Sequence, residues 1–213
     1  MIVIDTKLEK ETYVWYASFG SNLSRERFFC YIKGGKPEGS EKVEIGCSDR
    51  SLPVKEATHV MHYPLYFAKQ SDRWQHQGVA FIGLNHDEKY HTYSRKYLIT
   101  VGQFMDVVKQ ENDGADLNID LDEIMWIGAK TLRDSWYGTI LYLGKEDGYP
   151  IFTFTADWNL DVPLNKPSHE YLSMIIKGLK TTLKLDDTEI INYLIIKPGI
   201  DGHYSRKDIQ KLI

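Results

Sequence analysis

The first clear pattern along the chain is an apolar and aromatic run, Tyr13-Val14-Trp15-Tyr16-Ala17-Ser18-Phe19, of strand length and almost without polar interruption. Such a run predicts a buried strand. It breaks at Gly20-Ser21-Asn22. Gly and Asn tolerate left-handed backbone angles, and Gly lets another group approach the main chain. Ser24-Arg25-Glu26-Arg27-Phe28-Phe29 then reads as a helix start, with Asn22 or Ser24 as its cap. A strand that turns sharply into a helix leaves backbone N–H groups without partners, and those donors suit a carboxylate or a developing oxyanion. An ordinary strand–turn–helix joint has the same pattern.

The remaining hydrophobic periodicity predicts a chain of strands followed by helices. Residues 1–12 read as an extra edge strand or a loose arm. Tyr31 to Lys55, with Gly34-Gly35, Pro37, Gly39 and Gly46, reads as loop. Val60 to Phe67 is a strand interrupted by Pro64, which predicts an edge or a bulge. Gly78 to Leu84 predicts a buried strand and His91 to Ile99 one with mixed faces. Thr100 can cap a helix whose apolar face carries Phe104, Val107 and Val108 and which closes at Gln110 to Gly114. An acidic, irregular stretch follows to about Asp134, of a size often found in lids and ligand loops. Two strands, Trp136 to Leu143 and Tyr149 to Thr155, flank a hairpin signal at Asp147-Gly148. Pro167-Ser168 opens a helix with the stripe Tyr171, Met174, Ile175 and Leu179. Asp186 or Asp187 starts another helix through Ile196, stopped by Pro198-Gly199, and Ser205 caps a last one. Helices gathered after a run of strands predict an α+β fold.

Composition narrows the function classes. The 213 residues suffice for one core, and the net charge of −4 from 26 basic and 30 acidic residues provides no basic field for nucleic acid. Fourteen Tyr and five Trp point to an aromatic-lined core or pocket. No apolar run reaches membrane-spanning length. The early charges of Met1-Ile2-Val3-Ile4-Asp5-Thr6-Lys7 do not form a secretory pattern, so Cys30 and Cys47 are expected as reduced thiols in a cytoplasmic protein. His59 and His62 flank a proline-broken strand at a spacing that does not point both rings one way, and no HExxH or CxxC pattern exists, so no metal is expected. Gly20-Ser21-Asn22 lacks the flanking glycines of a nucleophile elbow, and Cys30, inside an aromatic run, is expected to be buried and inert. Lys33-Gly34-Gly35-Lys36 is too short for a phosphate loop. General acid–base chemistry is left. Glu111 ends a helix whose preceding turns are apolar, where burial and the negative helix end raise a carboxyl pKa. Spacing alone favours a solvated Glu among Asp113 and Asp116.

Three segments together resemble the γ-glutamylcyclotransferase-like superfamily. Phe19-Gly20-Ser21-Asn22-Leu23 is similar to its opening [Tyr/Phe]-Gly-Ser-Asn-Leu loop. Phe104, Val107 and Glu111 match two apolar residues three apart and a Glu four residues on. Pro167-Ser168 with Tyr171, Ile175 and Gly178 resembles its Pro-Ser-x-x-Tyr-x-x-x-Ile-x-x-Gly segment. Gly78-Val79-Ala80 sits where these proteins have a small-residue strand. The resemblance covers residues 13–180, expected as one domain, with a 1–12 arm before it and a C-terminal helical extension, 181–213, packed on it.

The resemblance implies an α+β fold, a small mixed β-barrel with flanking helices and a cavity at one barrel end. It also implies cleavage of a γ-glutamyl amide. The substrate's own α-amine attacks its γ-carbonyl, giving 5-oxoproline and a free amine or amino acid, without a cofactor, metal or protein nucleophile. Tethering of the nucleophile supplies a large effective molarity. By the resemblance, Glu111 is the acid/base, and the loop Phe19, Gly20, Ser21, Asn22 and Leu23 grips the γ-glutamyl group through backbone N–H groups, with side-chain contacts from Ser21 and Asn22. Tyr171 lines the site or holds the Glu-bearing helix. The implied partner is a small-molecule γ-glutamyl substrate, with no nucleic acid and no membrane. Phe19 stands where Tyr is commoner, Asn112 where Gly usually follows the Glu, and the stretch before Pro167 carries the acidic insertion; these departures leave the leaving amine open. A non-catalytic binding module on the same fold, or a hydrolytic acyl-transfer enzyme in which Glu111 activates water, are the competing readings.

Overall fold

The computed structural model describes residues 8–37 and 43–213. In chain order its elements are β1 (Tyr13–Ser18), α1 (Arg25–Lys33), β2 (Lys55–Met61), β3 (Leu65–Ser71), β4 (Gln77–Ile82), β5 (Thr92–Thr100), α2 (Val101–Glu111) and α3 (Leu121–Ile127). There follow β6 (Ala129–Thr131), β7 (Thr139–Glu146), β8 (Tyr149–Thr155), α4 (His169–Gly178), α5 (Asp187–Ile195) and α6 (Arg206–Gln210).

β1 lies inside a six-stranded sheet ordered β2-β5-β1-β8-β7-β6, antiparallel to β5 and parallel to β8. This explains its unbroken apolar sequence: the strand is buried on both faces, and successive residues serve opposite faces. Val14 and Tyr16 join Phe28 and Ile32 of α1 and Phe104, Val107 and Val108 of α2. Trp15, Ala17 and Phe19 join the other cluster, with the β3–β4 ribbon, α4 and α5. The fold is α+β with a mixed sheet and flanking helices, as expected. Among the described residues the ladders leave the barrel open: β2 and β6 are edges, and β3–β4 is a separate two-stranded ribbon. Thr155 of β8 links that ribbon to the sheet, its hydroxyl donating to Ile82 O at 2.8 Å.

Three local expectations change. Pro64 does not bulge one strand; it separates β2 from β3, which belong to different sheets. The acidic stretch after Glu111 is partly regular, because Asp120 caps α3 by accepting from Glu123 N–H and β6 then pairs with β7. The region read as loop from Tyr31 starts later, since α1 runs to Lys33 and stops at Gly34. Residues 1–7 of the expected arm, and Gly39 of the loop, lie outside the described residues. Residues 8–12 turn into β1, and Thr12 O and Lys10 O accept from Val101 and Gly102 N–H at the start of α2. Asp186 and Ser205 cap α5 and α6. Ile190, Leu194 and Ile209 of these helices are fully buried in the cluster that holds Tyr171 and Ile175 of α4. No helix among the described residues is long and apolar enough to cross a membrane.

Candidate functional site

β1 delivers the Gly-Ser-Asn break to the middle of the fold. After Phe19, residues Ser21–Leu23 form one tight turn of 3-10 helix, in which Leu23 N–H donates to Gly20 O and Ser24 N–H to Ser21 O, both at 3.0 Å. Ser24 occupies the N-cap of α1 without making a side-chain cap; its hydroxyl donates to Glu26. Asn22 is no cap either. Its Nδ2 donates to the Tyr16 hydroxyl at 3.3 Å and its carbonyl accepts from the Tyr97 hydroxyl at 2.8 Å, while its buried Oδ1 has no partner among the described residues. Gly20 does not use left-handed angles, its φ being −109°. It is needed for proximity: a Cβ there would lie 2.9 Å from the Tyr171 hydroxyl.

The second and third motifs converge on the same turn. Ser168 caps α4, accepting from Tyr171 N–H. The Tyr171 hydroxyl oxygen accepts from Ala80 N–H at 3.1 Å and faces Ser21 N–H. One turn of helix later Ile175 is in the core, and Gly178 lets α4 rest on the turn, since a Cβ at 178 would fall 2.5 Å from the Leu23 Cβ. Thr100 and Gln103 form a reciprocal capping box that starts α2, whose buried Phe104, Val107 and Val108 carry its last residue, Glu111, to the turn. Glu111, Phe19, Gly20, Ser21, Asn22 and Tyr171 line one hollow of about 30 Å³, closed by Tyr16, Ala80, Tyr137 and Phe154. That is room for one or two waters. Leu23 faces the core and Gly178 rather than the hollow.

Glu111 has only an edge toward solvent, and burial pushes its carboxyl pKa above the ordinary 4.5. Opposing this, the Tyr31 hydroxyl donates to it, and the nearby Arg27 and Arg73 guanidiniums favour its charged form. Arg27 and Tyr31, four apart on α1, were not singled out by pattern. Their helical spacing is the one sequence signal that could have paired them. Arg27 is 4% exposed and donates through Nε to Ser21 Oγ at 2.9 Å and through Nη2 to the Tyr31 hydroxyl at 3.3 Å. Its counter-charge is Glu44, 3.6 Å away and itself 2.9 Å from Arg73. Glu44 is held by an isolated bridge to Gly35, and nothing in the local sequence announces its place here.

Asn112, the departure from Gly, is buried. It donates to Val108 O at 2.8 Å and to Tyr137 O at 3.1 Å, while the Ser135 hydroxyl donates to its Oδ1 and Arg133 to its carbonyl. The change thus ties the Glu111 end of α2 to the segment bearing Tyr137, whose hydroxyl donates to Ala80 O at 3.2 Å. Cys30 is half-buried, with its thiol pushed up by burial, and lies outside the hollow. Among the described residues no three His, Cys, Asp or Glu side chains are grouped to hold a metal ion. A hollow of about 580 Å³ between residues 10 and 119 contains none of the motif residues.

No protein-family profile matches the chain. Over 201 residues it is 35% identical to histone deacetylase 5 of Arabidopsis thaliana, a match covering 85% of this chain and 30% of that protein. The chain therefore spans about a third of the length of that relative. Solved structures share its fold, among them the following two. A gamma-glutamyl cyclotransferase superposes with a TM-score of 0.51 at 16% identity, covering 94% of this chain and 99% of that one. The uncharacterized protein loc79017 from Homo sapiens superposes with a TM-score of 0.53 at 16% identity, covering 95% and 99%. The fold is shared with both of these structures.

Proposed function

We propose that the protein is a γ-glutamyl cyclotransferase-like enzyme that releases 5-oxoproline and a free amine or amino acid from a γ-glutamyl amide. The observation that carries this reading is the meeting of Glu111, the Gly20-Ser21-Asn22 turn and Tyr171 around one hollow. The substrate's α-amine forms the new C–N bond to its own γ-carbonyl carbon. Glu111 takes the proton that the amine releases and delivers it to the leaving nitrogen as the old C–N bond breaks. A carboxyl raised toward neutrality is a stronger base when ionised and a ready acid when protonated. Tyr31, donating to Glu111, keeps the ionised form accessible.

Charge developing on the γ-carbonyl oxygen needs donors aimed at it. The Tyr171 oxygen already faces two backbone N–H groups, so its own proton is left to offer. The unpartnered Asn22 Oδ1 suits an ammonium or amine donor, and buried acceptors of this kind call for a partner. The hollow of about 30 Å³ is smaller than a γ-glutamyl group, so substrate entry requires the turn or the Tyr137 segment to move outward.

That small volume is also what favours a second reading, a non-catalytic module that shares the fold. One experiment separates them. The protein is incubated with a panel of γ-glutamyl peptides and γ-glutamyl amines, and 5-oxoproline is measured. Release by the wild type that is lost in Glu111→Gln supports the enzyme. Glutamate in place of 5-oxoproline indicates hydrolysis, and no release from any substrate leaves the module.

A further inference from the structure

We propose that the hollow beside Lys197 is a binding site for a small monocarboxylate with an apolar or aromatic body. Lys197 follows α5 and is 8% exposed. Its ammonium donates to His91 O at 3.1 Å and lies 4.3 Å from the centre of the Tyr193 ring. No carboxylate pairs with it among the described residues, although the more accessible lysines 55, 89, 180 and 211 each have one. A buried cation held only by a carbonyl and a ring face lacks the counter-charge that normally accompanies burial. Burial alone lowers its amine to about 8, as expected for a cation in search of an anion.

The surroundings define the ligand. Lys197 lines a hollow of about 360 Å³, within the usual range for small-molecule sites. The walls are mainly prolines and aliphatic side chains (Pro64, Leu65, Leu160, Ile196), with Tyr90, His91 and Tyr193 beside them, and no Asp or Glu lines it. Lys89 stands at the rim but is taken by Asp87 at 2.7 Å. One available positive charge fits a monoanion; a phosphate ester would ask for more donors than the site presents. The apolar walls select for an organic body over an inorganic ion. The backbone here is rigidly placed: Pro198 O accepts from Phe67 N–H of β3 at 2.9 Å, and Gly199, at φ +91°, packs where a Cβ would stand 2.5 Å from Phe67 O.

The site makes no use of Glu111 or the Gly20 turn, so it stands or falls independently of the catalytic reading. The test uses the full chain with benzoate and isovalerate, and benzamide as the uncharged control. A limiting amount of an N-hydroxysuccinimide ester is added, and modification of each lysine is followed by peptide mass spectrometry. Benzoate should slow modification of Lys197 severalfold while leaving Lys89 and Lys177 unchanged, and benzamide should have no effect. Calorimetry should show benzoate binding that survives Lys197→Arg and is lost in Lys197→Met. Equal protection by benzamide, no protection by either acid up to the millimolar range, or benzoate binding undiminished in Lys197→Met would overturn the proposal. If Lys197→Met does not fold, the protection measured on the wild-type protein decides.

Discussion

Two carboxylates stand at the two ends of one short chain of contacts, and their surroundings differ in kind. Glu44 is almost wholly buried between two guanidiniums, Arg73 at 2.9 Å and Arg27 at 3.6 Å. Glu111 faces a hollow lined by aromatic side chains, and its direct donor is a phenol, Tyr31. Arg27 joins the two, since it touches Glu44, the Tyr31 hydroxyl and Ser21 Oγ. The first carboxylate sits between two cations, the second beside a phenol and aromatic rings. Glu44 is buried and Glu111 half-buried, and the proposed division into an anchor and an acid–base group follows the chemistry of their partners.

The sharpest way to break this comparison is to neutralise each acid in turn. Glu111→Gln should lower the turnover of a γ-glutamyl amide by about a hundredfold to ten-thousandfold, read as 5-oxoproline release. It should leave stability at neutral pH unchanged or slightly higher. Glu111's folded pKa lies above 4.5, so the folded state binds more protons than the unfolded one in that interval. Its stabilising contribution is complete below 4.5 and is lost as pH rises through the folded pKa. The glutamine variant lacks that loss.

Glu44→Gln should do the reverse. Removing one partner of a buried ion pair leaves Arg27 uncompensated and should cost about 3–5 kcal/mol in urea unfolding, with a much smaller effect on turnover per folded molecule. If the two substitutions behaved alike, the distinction between anchor and acid–base group would be wrong.

Smaller effects sharpen the same contrast. Asn112→Ala should cost about 1–3 kcal/mol, because it takes the side-chain donor from Tyr137 O and one of two donors from Val108 O. It should also impair turnover through the loosened Tyr137 segment. The mildest change is Tyr31→Phe. It removes the hydrogen bond that favours ionised Glu111, so the acidic limb of the kcat/KM profile should move to higher pH while thermal stability changes little. A limb that moved down, or not at all, would mean that Tyr31 does not govern this proton.

Local pattern determined the elements around the site. Alternation and apolar runs place β1, β5 and β8, and Thr100, Ser168, Asp186 and Ser205 start helices because a hydroxyl or carboxylate beside free N–H groups is a local matter. The three motifs were equally visible, and with them Glu111, the Gly20 turn and Tyr171. What pattern alone could not supply was the reason for the small residues. Gly20 and Gly178 are required by neighbours far off in sequence, the Tyr171 hydroxyl and Leu23, and not by backbone angles. The acidic stretch and the Pro64 break were misread because α3 and the division of β2 from β3 depend on which sheet accepts each segment.

The chain by itself thus determined which residues carry helix starts, strand faces and candidate chemistry, since those are properties of a few adjacent residues. Only the tertiary structure decided that Glu44, Arg27 and Tyr31 would set the charge around Glu111, that the hollow would be small, and that Lys197 would be buried with no carboxylate partner among the described residues. Those depend on burial and on distances between segments far apart along the chain, and Coulomb interactions in a dry interior respond to separation in space and not in sequence.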